Sequence, residues 1–127
     1  MSSVRHRRDL ETAIPYAAVR RVGDLVFLAG VVSWDADGAP VGVGDMAAQL
    51  RAVYAEIGEL LAAEGLGLRH IVKETVFTTS IAELTAHATV RAAVYEGGPP
   101  PASTWVEVKS LIAPDLLVEV EAIAVAG

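Results

Sequence analysis

The chain contains no cysteine. That absence excludes disulfides, thiolate metal sites and a cysteine nucleophile, and it accords with a reducing cytoplasmic setting. Basic charge is also scarce. Ten Lys and Arg against 16 Asp and Glu leave a formal charge of −6, which repels a phosphate backbone instead of displacing its counterions, so nucleic acid is not an expected partner. No apolar run reaches the roughly 20 residues that span a bilayer, and no membrane segment is expected. Arg5, Arg7 and Arg8 lie in a short polar stretch without an apolar h-region, which reads as a solvated arm over residues 1–12 and not as a signal peptide. His6 and His70 have no acid or histidine at metal-ligand spacing, and "GVG" at Gly42 to Gly44 lacks the form and strand context of a phosphate loop. No metal or cofactor is expected.

What the chain does have is apolar content. At 127 residues and 53% hydrophobic, it suits one domain, yet it carries more apolar surface than one small domain can hide, which points to a homo-oligomer. Ala13 to Ala18 contains Pro15 and reads as an edge strand or strand entry. "DLVFLAGVVS", Asp24 to Ser33, is a near-continuous apolar run, the pattern of a strand covered on both faces. From Asp45 to Glu64, Met46, Leu50, Val53, Tyr54, Ile57, Leu60 and Leu61 recur at three and four residues and define a helix with one buried stripe, ended by Gly65.

"RHIVKETVFTTS" is a third strand, with Ile71, Lys73, Thr75 and Phe77 on one face and Val72, Glu74, Val76 and Thr78 on the other. Ser80 and Glu83 have capping-box spacing ahead of a second helix carrying Ile81, Leu84, Ala88, Val94 and Tyr95, which "EGGPPP" stops. Thr104 to Lys109 and Leu116 to Val125 are the last two strands. The order predicts an α+β fold: a two-layer sandwich of a mixed β-sheet with two helices on one face. The bare sheet face is expected to pack against other copies.

The segments "AIPYAAVRRVGDLVFLAGVV", the helix around Gln49, "HIVKETVFTTSIAEL", "PASTWVEV" and "LLVEVEAIAVA" together resemble the YjgF/RidA (Rid) family from about Ala13 to Ala126. The resemblance implies a chorismate-mutase-like fold and a homotrimer with a small-molecule cleft between subunits. It also implies hydrolysis of reactive enamines and imines to 2-oxo acids and ammonia. Glu119 matches the family's glutamate that works with water, and Tyr16 its cleft-wall tyrosine, although the family's glycine between Ile14 and Pro15 is missing. Gly30 matches a glycine bordering the cleft. The family's carboxylate-gripping arginine is absent: aligning "VEV" puts Ser103 at its position and Trp105 where a small residue is usual.

A serine hydroxyl cannot replace two charge-assisted bonds of about 1.5–3 kcal/mol each, so affinity for an amino-acid-derived imine is expected to fall at least about tenfold. Trp105 either offers a flat wall to a less charged ligand or fills the vacated space. Glu119 and Glu121 share one face of an apolar strand, where a poorly solvated carboxylate can hold a raised pKa and move protons. Glu121 is read as structural, Trp34 as a rim residue, and His87 as an exposed helical histidine. Three functions follow: a Rid-type enzyme acting on an enamine, imine or related tautomerisable compound through Glu119; a pathway-specific catalyst of hydrolysis, cyclisation or dehydration; and a non-catalytic binding or scaffolding trimer.

Overall fold

Strand β1 (Ser2–Arg5), helix α1 (Leu10–Ala13), strands β2 (Val19–Val22) and β3 (Leu25–Val32), helix α2 (Met46–Ala62), strand β4 (Ile71–Thr78), helices α3 (Ile81–Ala86) and α4 (Ala88–Val94), and strands β5 (Ala102–Glu107) and β6 (Val118–Val125) follow one another in a computed structural model that describes residues 2–127. The six strands form one sheet in the order β1-β2-β3-β6-β4-β5. Only β4 and β5 run parallel; every other neighbouring pair is antiparallel, so the sheet is mixed as the element order predicts.

Helix α2 forms where the three- and four-residue apolar spacing predicts it. Asp45 caps it by accepting from the Ala48 N–H at 3.0 Å. Its stripe of Leu50, Val53, Ile57 and Leu61 is fully buried, each side chain contributing about 1.5–3 kcal/mol of burial. The stripe meets β3 and β6, where Val118, Val120, Ala122 and Ala124 face the helix. The alternate residues Glu119, Glu121, Ile123 and Val125 lie on the opposite, open face, along with half-exposed Phe27 and Leu25.

Two bulges reset the faces. Leu28 pairs with Ala122 and Val31 with Val120, so β3 carries one extra residue at Ala29–Gly30. In β4 the register slips between Ile71 and Lys73, which turns Ile71 into the core and leaves Val72 exposed. The strict alternation expected for β4 is therefore corrected at its first two residues: Ile71 shares the buried face with Glu74, Val76 and Thr78.

The amino-terminal segment differs most from its reading as a solvated arm. Residues 2–5 pair with β2, and the arginines tie the segment to α2 and the turn beyond it. Arg5 meets Glu64 at 2.7 Å, Arg7 meets Glu59, and Arg8 forms a two-pronged bond to Glu56 while lying over the Trp34 ring. Buried Glu11 fixes the turn by accepting from the backbone N–H groups of Arg7, Arg8 and Ala18. Ala13 to Ala18 is not a strand, because the short helix α1 takes its first residue and pairing begins only at Val19.

The single second helix predicted after Ser80 is two. Ser80 caps α3 by accepting from the Glu83 N–H. His87 then leaves helical geometry, with its ring Nδ1 bonded to the Glu83 carbonyl at 2.9 Å in competition with the helical ladder. Gln49, wholly buried, pins two loops by donating to the Gly42 and Asp115 carbonyls and accepting from the Leu117 N–H.

Candidate functional site

The five residues singled out in the sequence fall into two groups on opposite faces of the sheet. Glu119 stands on the open face at the centre of the sheet, between Val32 of β3 and Phe77 of β4. The β3 bulge brings Gly30 against it: a Cβ built on Gly30 would lie 2.7 Å from Glu119 Cδ and 2.8 Å from Oε1. This glycine is required for space and not for backbone conformation, since its φ is not positive. Tyr16 lies in the same neighbourhood. Burial raises its hydroxyl pKa, Glu11 adds to the rise while Arg8 opposes it, and Glu119 is among the further acids that push it up.

Glu119 accepts no hydrogen bond from any described residue and has no salt-bridge partner among them. Burial, and then repulsion from Glu121, hold its carboxyl above the ordinary glutamate range. An acid in that condition exchanges a proton closer to neutral pH than a solvated one. A hollow of about 10 Å³ lies among Tyr16, Gly30 and Trp34, and one of about 430 Å³ along Val4, Pro15 and Arg20 also reaches Tyr16; Glu119 lines neither. A hollow of about 550 Å³ between α2 and α4 and one of about 430 Å³ beside Arg8 and Trp34 touch none of Tyr16, Gly30, Ser103, Trp105 and Glu119.

Ser103 and Trp105 do share one side of β5, as strand alternation predicts, and the indole Nε1 donates to Ser103 Oγ at 3.0 Å. Parallel pairing sets Ser103 beside Glu74 and Trp105 beside Val76, which places both on the helix side of the sheet. They do not meet Glu119 within the chain. What they meet instead is a buried acid that the sequence reading did not single out. Glu74 is wholly buried; its Oε1 accepts from the Tyr54 and Tyr95 hydroxyls, both at 2.7 Å, and its Oε2 from Arg91 Nε and Ser103 Oγ, both at 2.6 Å.

Burial by itself would push the Glu74 carboxyl up, but the bonds from Ser103, Tyr95 and Tyr54 and the charge of Arg91 outweigh it and hold the group below its usual range. Both tyrosine hydroxyls are driven well above theirs, by burial first; the Glu74 charge then ranks next for Tyr54, and the neighbouring Tyr54 for Tyr95. Tyr54 and Tyr95 also pack edge to face at 5.8 Å. A glutamate flanked by Val72 and Val76 in a core strand, with tyrosines on both helix stripes, was the available signal.

His87 is half-exposed and spent on a backbone carbonyl, and Trp34 sits under Arg8 as part of the amino-terminal clasp. No cluster of three potential metal-ligating side chains occurs among the described residues, and no helix there is long and apolar enough to cross a membrane.

A mixed sheet with helices α2 and α4 packed against each other, and an acid of raised pKa set against a strand glycine, define a small α+β protein. The chain belongs to the YjgF/Rid family. The family model described as Endoribonuclease L-PSP matches residues 6–126. A RutC family protein of Pyrococcus horikoshii is 34% identical over 87% of this chain and 86% of its own. The 3-aminoacrylate deaminase RutC of Acinetobacter baylyi is 31% identical over the same shares. The crystal structure of Rv2704 from Mycobacterium tuberculosis, described as a member of the YjgF/YER057c/UK114 family, superposes with a TM-score of 0.85 at 30% identity, covering 99% of this chain and all of that one.

Proposed function

We propose that this chain is a Rid-type catalyst acting on an enamine, an imine or a related tautomerisable compound, with Glu119 as its acid–base group. The observation that carries the proposal is the state of Glu119: half-buried, unpartnered, raised in pKa, and given its space by Gly30. In the hydrolysis, the enamine takes a proton at carbon and becomes the imine. Water adds to the imine carbon, and ammonia leaves as the carbonyl forms. Glu119 in its neutral form supplies the carbon proton, and as carboxylate it draws one from the attacking water. The similarity to a protein named 3-aminoacrylate deaminase supports this reaction class and makes 3-aminoacrylate a second candidate substrate beside 2-aminoacrylate.

The cleft itself is proposed to form between copies in a homotrimer of chorismate-mutase-like, two-layer subunits. Phe27, Leu25 and Val106 remain 37–43% exposed on the open face that carries Glu119. Packing that face against a neighbour both covers the apolar surface and walls a cavity beside Glu119. A cytoplasmic location fits an acidic chain without cysteine.

A non-catalytic binding trimer is the second reading, favoured by one observation: Trp105 packs against the core and is tied to Ser103, so it behaves as a fixed filler. The test for both is ammonia release from freshly generated 2-aminoacrylate or 3-aminoacrylate. Acceleration that disappears in Glu119→Gln supports the enzyme; identical rates with and without the protein for both compounds overturn it. A nuclease role finds no support in a chain of charge −6.

A further inference from the structure

Helix α2 carries three charged side chains, and two are taken: Glu56 by Arg8 and Glu59 by Arg7. Arg51 is the third. It bonds to no described residue, and its neighbours at three and four residues along the helix, Ala47, Ala48, Tyr54 and Ala55, include no acid to pair with. Beside this exposed guanidinium lies the hollow of about 550 Å³ between α2 and α4. No acid lines it.

The hollow follows from the residues that line it. Ala55 of α2 and Ala93 of α4 are too small to close the seam between the helices, so a gap remains, lined also by Leu68 and Val90. Tyr54 contributes only its ring, because its hydroxyl is spent on Glu74. Thr89 supplies a hydroxyl that bonds to no described residue. An apolar seam without charge would need no ligand, but here one cation and one spare hydroxyl border the apolar lining, the complement of a molecule that is mostly apolar and carries one negative head.

We propose that the hollow between α2 and α4 binds an amphipathic organic monoanion, its alkyl chain covering Ala55, Leu68, Val90 and Ala93 and its head paired with Arg51. The protein's overall charge of −6 repels anions in general, so a lining without acids and with Arg51 is what singles out this place. Burial of the alkyl chain supplies most of the affinity; Arg51, being exposed, supplies orientation and a modest share. The hollow lies on the helix side of the sheet, opposite Glu119, and its occupation requires neither the reaction nor the assembly proposed for the open face.

Octanesulfonate, with octanol as its uncharged counterpart, tests this on the full chain below micelle-forming concentrations. The readout is the backbone amide resonances of Ala55, Val90 and Ala93, set against those of the open-face strands. Octanesulfonate is expected to shift the three saturably and to bind about two- to fivefold more tightly than octanol, the reach of an exposed ion pair, with the preference fading as salt is raised. Arg51→Glu, a change at an exposed helix position, is expected to reverse the preference in favour of octanol. Ala93→Leu fills the hollow from another exposed helix position, and should lower both affinities at least about tenfold while the amide spectrum stays dispersed. Shifts confined to the open face, an unchanged ratio of the two affinities in Arg51→Glu, undiminished binding in Ala93→Leu, or no saturable shift up to the solubility of octanol overturns the site. Binding is read without turnover, so the result is decided whether or not Glu119 proves catalytic.

Discussion

Glu74 and Glu119 sit on neighbouring strands of one sheet and face opposite ways, and their fates are opposite too. Glu74 is the more deeply buried, yet its carboxyl lies below the usual range; Glu119 is less buried, yet its carboxyl lies above it. Depth therefore does not decide the matter. Three hydroxyls and a guanidinium neutralise the penalty at Glu74, whereas Glu119 accepts no hydrogen bond from any described residue and is repelled by a second acid, Glu121. One face holds its carboxylate with hydrogen bonds, and the other leaves its carboxylate without a described partner.

The sharpest way to break this comparison is to remove the acid that is fully held. Glu74→Ala strands the Arg91 charge and two buried tyrosine hydroxyls, and is expected to destabilise the chain by about 3–5 kcal/mol in urea or guanidinium unfolding at neutral pH. A loss under about 1 kcal/mol would mean that the cluster relaxes into water and is no structural unit. Ser103→Ala removes one of the four donors from a site that keeps three, so a loss of about 1 kcal/mol is expected, accompanied by an upward shift of the Glu74 pKa in a carboxyl-carbon NMR titration.

Gly30→Ala probes the other face. Its new methyl must displace a flexible Glu119 side chain and not backbone, so stability should change by no more than about 0.5 kcal/mol. The Glu119 pKa should fall back toward its ordinary value as the carboxyl swings into water; an unchanged titration would show that Gly30 does not set its environment.

The smallest effect expected on stability is that of Glu119→Gln, and its sign distinguishes the two acids. A carboxyl whose folded pKa is raised favours folding only while protonated: its contribution is present below the unfolded value, near 4.5, and is lost as pH rises through the folded value. Glu119→Gln should thus be slightly more stable than the parent at neutral pH, with the gap closing in acid. Glu74, held low, behaves inversely, contributing stability above pH 4.5 that is lost as pH falls through its folded pKa.

The strand and helix pattern was legible because each element carries its own period: 3.6 along Met46–Ala62 and two along Val118–Val125. Family membership was legible for the same reason, since five ordered segments survive without any contact being known. The amino-terminal clasp was not. Arg5, Arg7 and Arg8 read as solvated because their partners Glu56, Glu59 and Glu64 are about 50 residues away in the chain, and charge pairing has no period.

The sequence by itself determined the α+β class, the face on which Glu119 stands, and the common side of Ser103 and Trp105, all consequences of local alternation. Only the tertiary structure decided that Ser103 and Trp105 turn away from Glu119 and toward Glu74. That outcome depends on the parallel register of β5 against β4, which sets Ser103 beside Glu74 and Trp105 beside Val76. Register is set by how whole strands bury their side chains together, a global balance that no single segment encodes.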